Sequence, residues 1–313
     1  MNILYGIQTT GNGHINRSLK IIDELRRLGN NVDILISGNG SDLKILYNFK
    51  FKGLKLYYKN GSVDIFKTIF KNNILNLIKE VLSIKNRYDL IITDFEPVSA
   101  LYGTLFNIKS INISNQASFI SNRIKINRFY RLFFKYFCYT NDSIGYFYEK
   151  LDDSVYLPII DQKIIDSVPT TLNHIVVYLP NIDTKDILEV LNKSNHIFYI
   201  FTEQNFISES KNIIIEKIDK SKFQEKLISS NGVITHSGFS TTTEALYLNK
   251  KLWSIPIKSQ IEQKINSDYL KKLGVFTEEL NYTNLIDWLD SSLVNWEWSD
   301  PTKEIIEKIY GEN

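Results

Sequence analysis

A segment rich in hydroxyl groups in the second half of the chain has the residue types of an anion-binding site. Its sequence is Thr235-His236-Ser237-Gly238-Phe239-Ser240-Thr241-Thr242-Thr243-Glu244-Ala245. It follows an apolar run, 232–234, that predicts a buried strand, and it opens a predicted helix. The first turn of a helix carries unpaired N–H groups and partial positive charge, so it suits a phosphate or diphosphate. The predicted contacts are Gly238, which lets the backbone approach closely, and the side chains of His236, Ser237, Ser240, Thr241 and Thr242. The alternative is an ordinary capped helix, because Ser and Thr are also favoured N-cap residues.

A second candidate site lies at the start of the chain. Residues 2–7 predict a first strand, and Thr9-Thr10-Gly11-Asn12-Gly13-His14 separates it from a predicted helix. The two glycines leave little side-chain bulk before His14, which is expected at the carboxyl edge of a parallel sheet, where open α/β folds bind ligands. The segment lacks the third glycine of the dinucleotide fingerprint and the Gly-Lys-Ser/Thr of a Walker loop. A His14 that only caps the helix is the alternative.

Together the two segments resemble the GT-B glycosyltransferases, in particular the branch that holds the UDP-glycosyltransferases and the bacterial GlcNAc transferase of peptidoglycan synthesis. The matching pieces are Gly11-Asn12-Gly13-His14-Ile15-Asn16-Arg17, His236-Ser237-Gly238-Phe239-Ser240-Thr241, Glu244-Ala245, Pro256 and Gln260-Ile261-Glu262-Gln263. A similar order occurs in an archaeal and bacterial group of predicted transferases that has Glu-Gln where plant enzymes have Asp-Gln. The resemblance covers nearly the whole chain. Many members have a Gly-Gly-Ser-rich loop where this chain has Pro180, so the resemblance does not carry a phosphate or acceptor contact over to that loop.

The resemblance implies transfer of a sugar from a nucleotide-diphosphate donor, with a UDP-sugar expected, to a hydroxyl acceptor. It implies a hexosyl- or N-acetylhexosaminyl-transferase of glycan or glycolipid synthesis that inverts the anomeric centre. No cofactor is expected besides the nucleotide-sugar co-substrate. The sequence has no Asp-x-Asp metal motif, which suits an enzyme that uses a helix dipole and hydrogen-bond donors in place of a divalent ion.

Catalysis needs a base near the acceptor, and His14 is the best candidate because imidazole titrates near physiological pH. In the UDP-glycosyltransferases an acidic residue after a mid-domain strand orients that histidine. The resemblance gives this role to Asp94, at the end of the predicted strand 90–93. Asp94 could instead cap the helix that begins near Pro97, and Glu96 is a weaker candidate for the same role.

The remaining donor contacts, which include Gly13, also come from the resemblance. Glu244 lies one turn after Ser240 and is expected to bind the nucleotide ribose, unless it serves as a capping-box partner. Glu262 and Gln263 are expected on the donor-sugar hydroxyls, with help from Gln260; a solvated helix start is the alternative. Asn266 is a fainter candidate.

Composition agrees with two α/β domains. The chain has 313 residues, of which 43 % are hydrophobic, enough for two domains of about 150 residues each. The charges of its 37 basic and 35 acidic residues nearly cancel, so the net charge does not predict binding to nucleic acid. The lone Cys138 excludes an internal disulfide and a cysteine-based zinc site, and the scattered histidines lack metal-ligand spacing. The chain has no apolar stretch of about 18 residues and begins directly as a strand, so a cytoplasmic protein is expected.

Short apolar runs alternate with helical patterns along the chain, which implies parallel sheets with right-handed crossovers. The predicted strands are 3–8, 32–37, 54–57, 90–93, 110–113, 175–179, 196–201, 213–216, 232–235 and 252–255. The predicted helices are 15–28, 42–49, 63–84, 98–106, 184–192, 223–229, 241–248 and 262–273. The expected fold is α/β, of GT-B type, with two Rossmann-like doubly wound domains that face a cleft. Residues 1–158 form the acceptor-side domain, 159–298 the nucleotide-sugar domain, and 299–313 a C-terminal helix expected to pack back on the first domain.

The segment Arg123–Tyr139 belongs to neither predicted core. It contains five basic residues and many aromatic ones but no acidic residue. An amphipathic helix of this kind can lie on an anionic membrane or receive a lipid-linked acceptor, which would make the protein peripheral at the inner face of the membrane. The alternative is that the aromatic side chains pack under the sheet while the basic ones are solvated.

Two other functions remain open. A catalytically silent GT-B module would bind a partner or a nucleotide without turnover. A sugar-nucleotide 2-epimerase would share the fold and the nucleotide site, but it would need further carboxylates around the sugar, and no arrangement in the sequence demands them.

Overall fold

The structure is a computed structural model that describes residues 1–9, 12–38, 46–55, 57–59, 62–63 and 65–311. The chain divides into two compact units. Unit 1 contains Met1–Asp161 together with Ser299–Asn313, and unit 2 contains Gln162–Trp298. The predicted domain boundary, between residues 158 and 159, falls close to this division, and the predicted C-terminal helix falls in unit 1.

Unit 1 is built on a parallel sheet. Its elements before residue 162 are β1 (Asn2–Gln8), α1 (Asn12–Arg27), β2 (Asn31–Ser37), β3 (Phe49–Phe51), β4 (Tyr58–Lys59), β5 (Ser62–Val63), α2 (Ile65–Lys71), α3 (Ile74–Ser83), β6 (Leu90–Asp94), α4 (Pro97–Leu105), β7 (Ser110–Ser114), α5 (Asn115–Ser118), α6 (Arg128–Phe137), β8 (Asp142–Tyr146) and β9 (Val155–Tyr156). The strand order is β3-β2-β1-β6-β7-β8-β9, while β4 and β5 form a separate antiparallel pair. The chain runs outward from β1 to β3 and then returns to β6 on the other side of β1. The strand order therefore reverses between β1 and β6.

The central strands of unit 1 are covered on both faces. Every residue of β6 and β7 is buried, as expected for parallel strands between two helical layers. Helix α4 approaches β1 at Gly6, where a Cβ atom would lie 2.7 Å from Ser99 Cβ. Glycine is therefore required at position 6 for this close approach.

Unit 2 has a smaller parallel sheet with the same kind of winding. Its elements are α7 (Gln162–Ile165), β10 (His174–Tyr178), α8 (Thr184–Leu191), β11 (Ile197–Phe201), β12 (Ile213–Glu216), α9 (Lys220–Ser229), β13 (Gly232–His236), α10 (Phe239–Tyr247), β14 (Lys251–Ile255), α11 (Ile261–Lys272) and α12 (Tyr282–Asp290). The strand order is β12-β11-β10-β13-β14, so the reversal lies between β10 and β13. Trp253 and Trp288 are fully buried in the core on one side of this sheet.

The last helix, α13 (Thr302–Tyr310), packs in unit 1 against α1. Its apolar side is buried through Ile305 and Ile309. Asn30 Nδ2 donates a hydrogen bond of 2.6 Å to the Tyr310 hydroxyl group. Lys20 forms an ion pair of 2.7 Å with Asp300 just before the helix. No helix in the described ranges is both long and apolar enough to cross a membrane.

Several predicted elements in unit 1 were wrong. Of the predicted helix 42–49, residues 42–45 lie outside the described residues, 46–48 form no helix, and Phe49 begins β3. The predicted helix 63–84 is divided into α2 and α3, because the Asn73 side chain caps α3 by accepting from the Asn76 N–H group. At positions 54, 55 and 57 the predicted strand is not observed. Strands β8 and β9 were not predicted, and neither was helix α12 in unit 2, because their apolar runs are short.

Candidate active site

His14 and Asp94 meet at the carboxyl edge of the sheet in unit 1. Strands β1 and β6 are parallel neighbours, with Ile7 opposite Asp94, and α1 begins shortly after β1. The distance between His14 Nδ1 and Asp94 Oδ1 is 2.8 Å. This is the point where the strand order reverses, which is the ligand-binding position of open α/β sheets. The structure therefore brings the two predicted catalytic side chains together, and their roles stay predictions.

Two further side chains of α1 bind Asp94, and the sequence pattern predicted no role for either. Arg17 donates from Nε to Oδ2 over 2.8 Å and from Nη2 to Oδ1 over 2.9 Å. Ser18 Oγ donates to Oδ2 over 3.1 Å. His14, Arg17 and Ser18 occupy positions i, i+3 and i+4, which share one helix face. That spacing was readable in the sequence, but the common partner 76 residues or more away was not.

The Asp94 carboxylate is fully buried, and Arg17 is nearly so. Burial alone would raise the pKa of Asp94, but the charge of Arg17, with a smaller contribution from His14, holds that pKa below its usual value. Burial alone would lower the pKa of Arg17, but the charge and hydrogen bonds of Asp94 outweigh the effect of burial and raise that pKa. The site thus contains a charged pair in which the guanidinium donates two parallel hydrogen bonds to the carboxylate.

The protonation of the His14 ring decides what the site can do. Arg17 Nη2 lies 2.7 Å from His14 Nδ1, so this nitrogen touches both a donor and an acceptor. The guanidinium can only donate and the carboxylate can only accept, so His14 Nδ1 alone can be either donor or acceptor in these contacts. If Nδ1–H donates to Asp94, Nε2 keeps a lone pair and can act as a base. If Nδ1 accepts from Arg17, a neutral ring carries its proton on Nε2 and cannot.

Asp94 does not cap α4, because Glu96 does. The Glu96 carboxylate accepts from the N–H groups of Val98 and Ser99, at 2.8 and 2.6 Å, and from the Ser37 hydroxyl group. Phe95, between the two carboxylates, has a φ of 53°, a left-handed conformation that is strained for a bulky residue. This turn directs Asp94 toward α1 and Glu96 into α4. The alternatives that Asp94 is a cap and that Glu96 replaces it are therefore wrong.

In unit 2, α10 begins at the carboxyl end of β13, next to the point where the strand order reverses. Its N-cap is Gly238, and no side chain makes the capping hydrogen bond. The alternative of a helix capped by Ser or Thr is therefore wrong for this terminus. Ser240 and Thr241 in the first turn are partly exposed. The geometry leaves the first amide groups of α10 in the arrangement that binds anions.

Two side chains that the sequence predicts at the donor site form hydrogen bonds inside unit 2. Thr242 is fully buried, and its hydroxyl group donates to the carbonyl groups of Gly238 and Phe239, at 2.9 and 3.0 Å. Ser237 is fully buried and accepts a hydrogen bond from Ser254 Oγ over 2.8 Å. The hydroxyl proton of Thr242 is thus used within α10, and Ser237 lies buried against β14. The anion contacts expected of both side chains stay predictions.

His236 is engaged at both ring nitrogens. Nδ1 lies 2.9 Å from the Ile255 carbonyl oxygen, which can only accept, so the proton is on Nδ1. Nε2 then accepts the Asn181 N–H group over 3.4 Å. Burial lowers the pKa of His236, although the bond to Ile255 opposes this. The neutral ring has no proton on Nε2 for an anion, so the predicted donor function of this side chain is replaced by support of the loop at Pro180.

The other predicted residues lie around the same end of the sheet. Glu244 is partly exposed on the second turn of α10, and Glu262 is partly exposed in the first turn of α11. Gln260 is the N-cap of α11 and makes no side-chain capping bond. Gln263 Oε1 accepts the Ile257 N–H group over 3.0 Å and so holds the loop before α11. Asn266 Nδ2 donates to the Ser237 carbonyl group over 3.0 Å, which ties α11 to the turn after β13.

Two doubly wound α/β units, each with a polar site at its strand reversal, define the GT-B class of fold. The chain belongs to glycosyl transferase family 1, since a sequence model of that family matches residues 1–291. This confirms the GT-B resemblance.

Solved structures give the same fold. The glycosyltransferase SnogD from Streptomyces nogalater is 14 % identical with a TM-score of 0.58, over 93 % of this chain and 91 % of that one. Arabidopsis thaliana UGT89C1 complexed with UDP is 14 % identical with a TM-score of 0.63, over 99 % and 90 %. A UDP-glucosyltransferase from Polygonum tinctorium is 13 % identical with a TM-score of 0.63, over 99 % and 92 %. No curated protein sequence matches the chain.

Proposed function

We propose that this protein transfers a glycosyl group from a UDP-sugar to a hydroxyl acceptor with inversion at the anomeric carbon. The observation that carries the proposal is the 2.8 Å contact between His14 Nδ1 and the buried carboxylate of Asp94. With Nδ1–H held by Asp94, His14 Nε2 accepts the proton of the acceptor hydroxyl group. The acceptor oxygen bonds to the anomeric carbon, and the bond from that carbon to the diphosphate oxygen breaks, so the diphosphate leaves with the electron pair.

Unit 2 would bind the donor. The backbone amides at the start of α10, with Ser240 and Thr241, stabilise the charge of the departing diphosphate without a metal ion. Glu244 accepts hydrogen bonds from the ribose, while Gln260, Glu262 and Gln263 face the sugar hydroxyl groups. The choice of uridine is supported by UGT89C1, which has been solved with UDP and with UDP-L-rhamnose. A hexose or an N-acetylhexosamine is the proposed sugar.

The test is His14→Ala in a transfer assay with a panel of UDP-sugars. Turnover should fall by about 100- to 10,000-fold, the contribution of a general base, while the donor affinity stays unchanged. His196→Ala is the control, since His196 is exposed in unit 2 outside the candidate site. A product with retained anomeric configuration would refute inversion. Turnover of UDP-sugar to an epimer without acceptor would favour the epimerase, and UDP binding without any turnover would favour a silent module.

We also propose that helix α6 brings the protein to an anionic membrane that carries the acceptor. The inner side of α6 is packed: Phe134 is buried, and Phe137 stacks on Phe95 with ring centroids 4.9 Å apart. Its outer side exposes Phe129, Leu132 and Tyr136, at 48, 42 and 60 %. These three exposed residues have the spacing expected for the apolar side of a helix that lies in a membrane interface.

Most basic residues of the segment are exposed as well. Arg123, Lys125, Arg128 and Lys135 are exposed, whereas Arg131 folds back to donate to Asn122 Oδ1 and the Ile124 carbonyl group. Near an anionic surface each exposed cation contributes about 1 kcal/mol, so four suffice for reversible binding. The aromatic side chains therefore divide between core and surface, which neither sequence alternative anticipated.

Co-sedimentation with lipid vesicles tests this second proposal. Vesicles with anionic lipid should bind the protein at low salt, and neutral vesicles should not. Reversal of two charges, Arg128→Glu with Lys135→Glu, should abolish binding. The control is Lys79→Glu with Lys85→Glu, which makes the same charge change on exposed residues of another helix and its end. Equal loss in both double variants, or no binding at low salt, would refute α6 as the contact surface.

A further inference from the structure

We propose that Arg17 is a positioning residue that keeps the Asp94 carboxylate ionised and so holds His14 in the tautomer that can act as a base. The proposal rests on the proposed function, because a base is needed only if the protein transfers sugar to a hydroxyl group. It adds a third member to the predicted pair, and that member is buried and acts through Asp94.

The charge of Asp94 depends on the groups that surround its carboxylate. A carboxylate with no exposure to water takes up a proton unless a cation faces it. His14 supplies no charge when it acts as a base, since a base must be unprotonated. The other titratable groups around Asp94 are Tyr5, Tyr146 and Cys138, and burial raises the pKa of each, so they stay neutral. Arg17 is therefore the counter-charge on which ionisation of Asp94 depends.

The charge of Asp94 decides the direction of its hydrogen bond to His14. An ionised Asp94 has only lone pairs to offer, so it accepts Nδ1–H from His14 and leaves Nε2 free. A protonated Asp94 can donate to Nδ1, which moves the proton of a neutral ring to Nε2 and removes the base. Loss of Arg17 would thus inactivate His14 through Asp94.

Hydrogen bonds also fix the orientation of the Asp94 carboxylate. Arg17 Nε and Ser18 Oγ hold Oδ2, at 2.8 and 3.1 Å, and Arg17 Nη2 holds Oδ1 at 2.9 Å. The guanidinium itself lies 5.9 Å from the centroid of the Tyr146 ring. The carboxylate cannot rotate without the loss of several hydrogen bonds, so Oδ1 stays directed at His14. The same guanidinium could instead donate to His14 Nδ1, from 2.7 Å, which predicts the opposite tautomer and gives the test its second outcome.

The test is nitrogen NMR of the full chain labelled with ¹⁵N-histidine, which needs no substrate. In the native protein at pH 8, His14 should carry its proton on Nδ1. Arg17→Met should move it to Nε2, whereas Arg17→Lys, which keeps the charge, should leave it on Nδ1. Arg26→Met is the control, because Arg26 lies on the same helix and donates to the Val32 carbonyl group. A native ring with the proton on Nε2, or equal effects of Met and Lys at position 17, would overturn the proposal.

Kinetics supply a separate readout. Arg17→Met should lower kcat by about 100-fold with the donor KM unchanged, and the loss should already be present at pH 8, where the same variant shows the reversed tautomer. Guanidinium added to Arg17→Ala should restore part of the rate. If the native protein transfers no sugar but the tautomer still responds to Arg17, the proposed function fails and the positioning role stands. If Arg17→Met does not fold, Arg17→Lys and the native spectrum still decide the tautomer.

Discussion

Replacement of Asp94 by asparagine should destabilise unit 1 strongly. The change keeps the shape of the side chain but leaves the Arg17 guanidinium buried without its counter-charge. Removal of one partner from a buried ion pair costs about 3–5 kcal/mol, since the remaining charge is neither solvated nor neutralised. For a folding unit of the size of unit 1 that corresponds to a fall in its melting temperature of roughly 6 to 20 °C.

The distribution of tryptophan makes the measurement specific. The chain has four tryptophans, and all of them lie in unit 2: Trp253, Trp288, Trp296 and Trp298. Far-ultraviolet circular dichroism reports both units, whereas tryptophan fluorescence reports unit 2. In Asp94→Asn the dichroism should show a new transition at lower temperature. The fluorescence transition should change less.

The pH dependence gives an independent check. Because the pKa of Asp94 is lower in the folded chain, its carboxylate contributes stability that is complete above the pKa of an unfolded aspartate, about 3.9. That contribution is lost as the pH falls through the folded pKa. The difference in the free energy of unfolding between the native protein and Asp94→Asn should therefore be largest near neutral pH and should become smaller in acid.

An exposed pair is the matched control. Glu24 and Arg27 form an ion pair of 2.6 Å on the surface of α1, and Glu24→Gln should cost at most about 1 kcal/mol. If Asp94→Asn destabilises no more than this control, the Arg17 charge is not buried as described, and the reasoning on the site fails with it.

Two further predictions concern donor binding and packing. UDP at about a hundred times its Kd should stabilise unit 2 by roughly 2.7 kcal/mol, seen in the tryptophan transition, and Glu244→Ala should weaken UDP binding by about 10- to 150-fold in calorimetry. The exposed Glu225→Ala is the control, and normal affinity in Glu244→Ala would remove Glu244 from the site. Gly6→Ala should cost about 1–3 kcal/mol in urea denaturation because its Cβ would overlap Ser99, and Ser99→Gly should recover much of that loss in the double variant. An unchanged stability of Gly6→Ala would mean that α4 can move away from β1.

The regular elements near both candidate sites could be predicted from sequence, apart from their exact ends. Apolar residues with a period of two or 3.6 mark a strand or a helix through contacts within a few residues, and β1, β6, β13 and α10 have such patterns. The prediction failed at β3, where the three-residue run 49–51 carries too little periodicity to reveal a strand. It failed again at Asn73, where one capping side chain divides a continuous apolar pattern into two helices.

What the sequence by itself determined is the winding of two parallel sheets and the location of polar motifs at the ends of particular strands. Only the tertiary structure decided which polar groups meet. Asp94 is bound by His14, Arg17 and Ser18, across 76 to 80 residues of chain, while Glu96 two positions later caps α4. The hydroxyl group of Thr242 and the ring of His236 form hydrogen bonds inside unit 2. The physical reason is that periodicity is a local property, whereas the partner of a buried polar group depends on how separate elements pack.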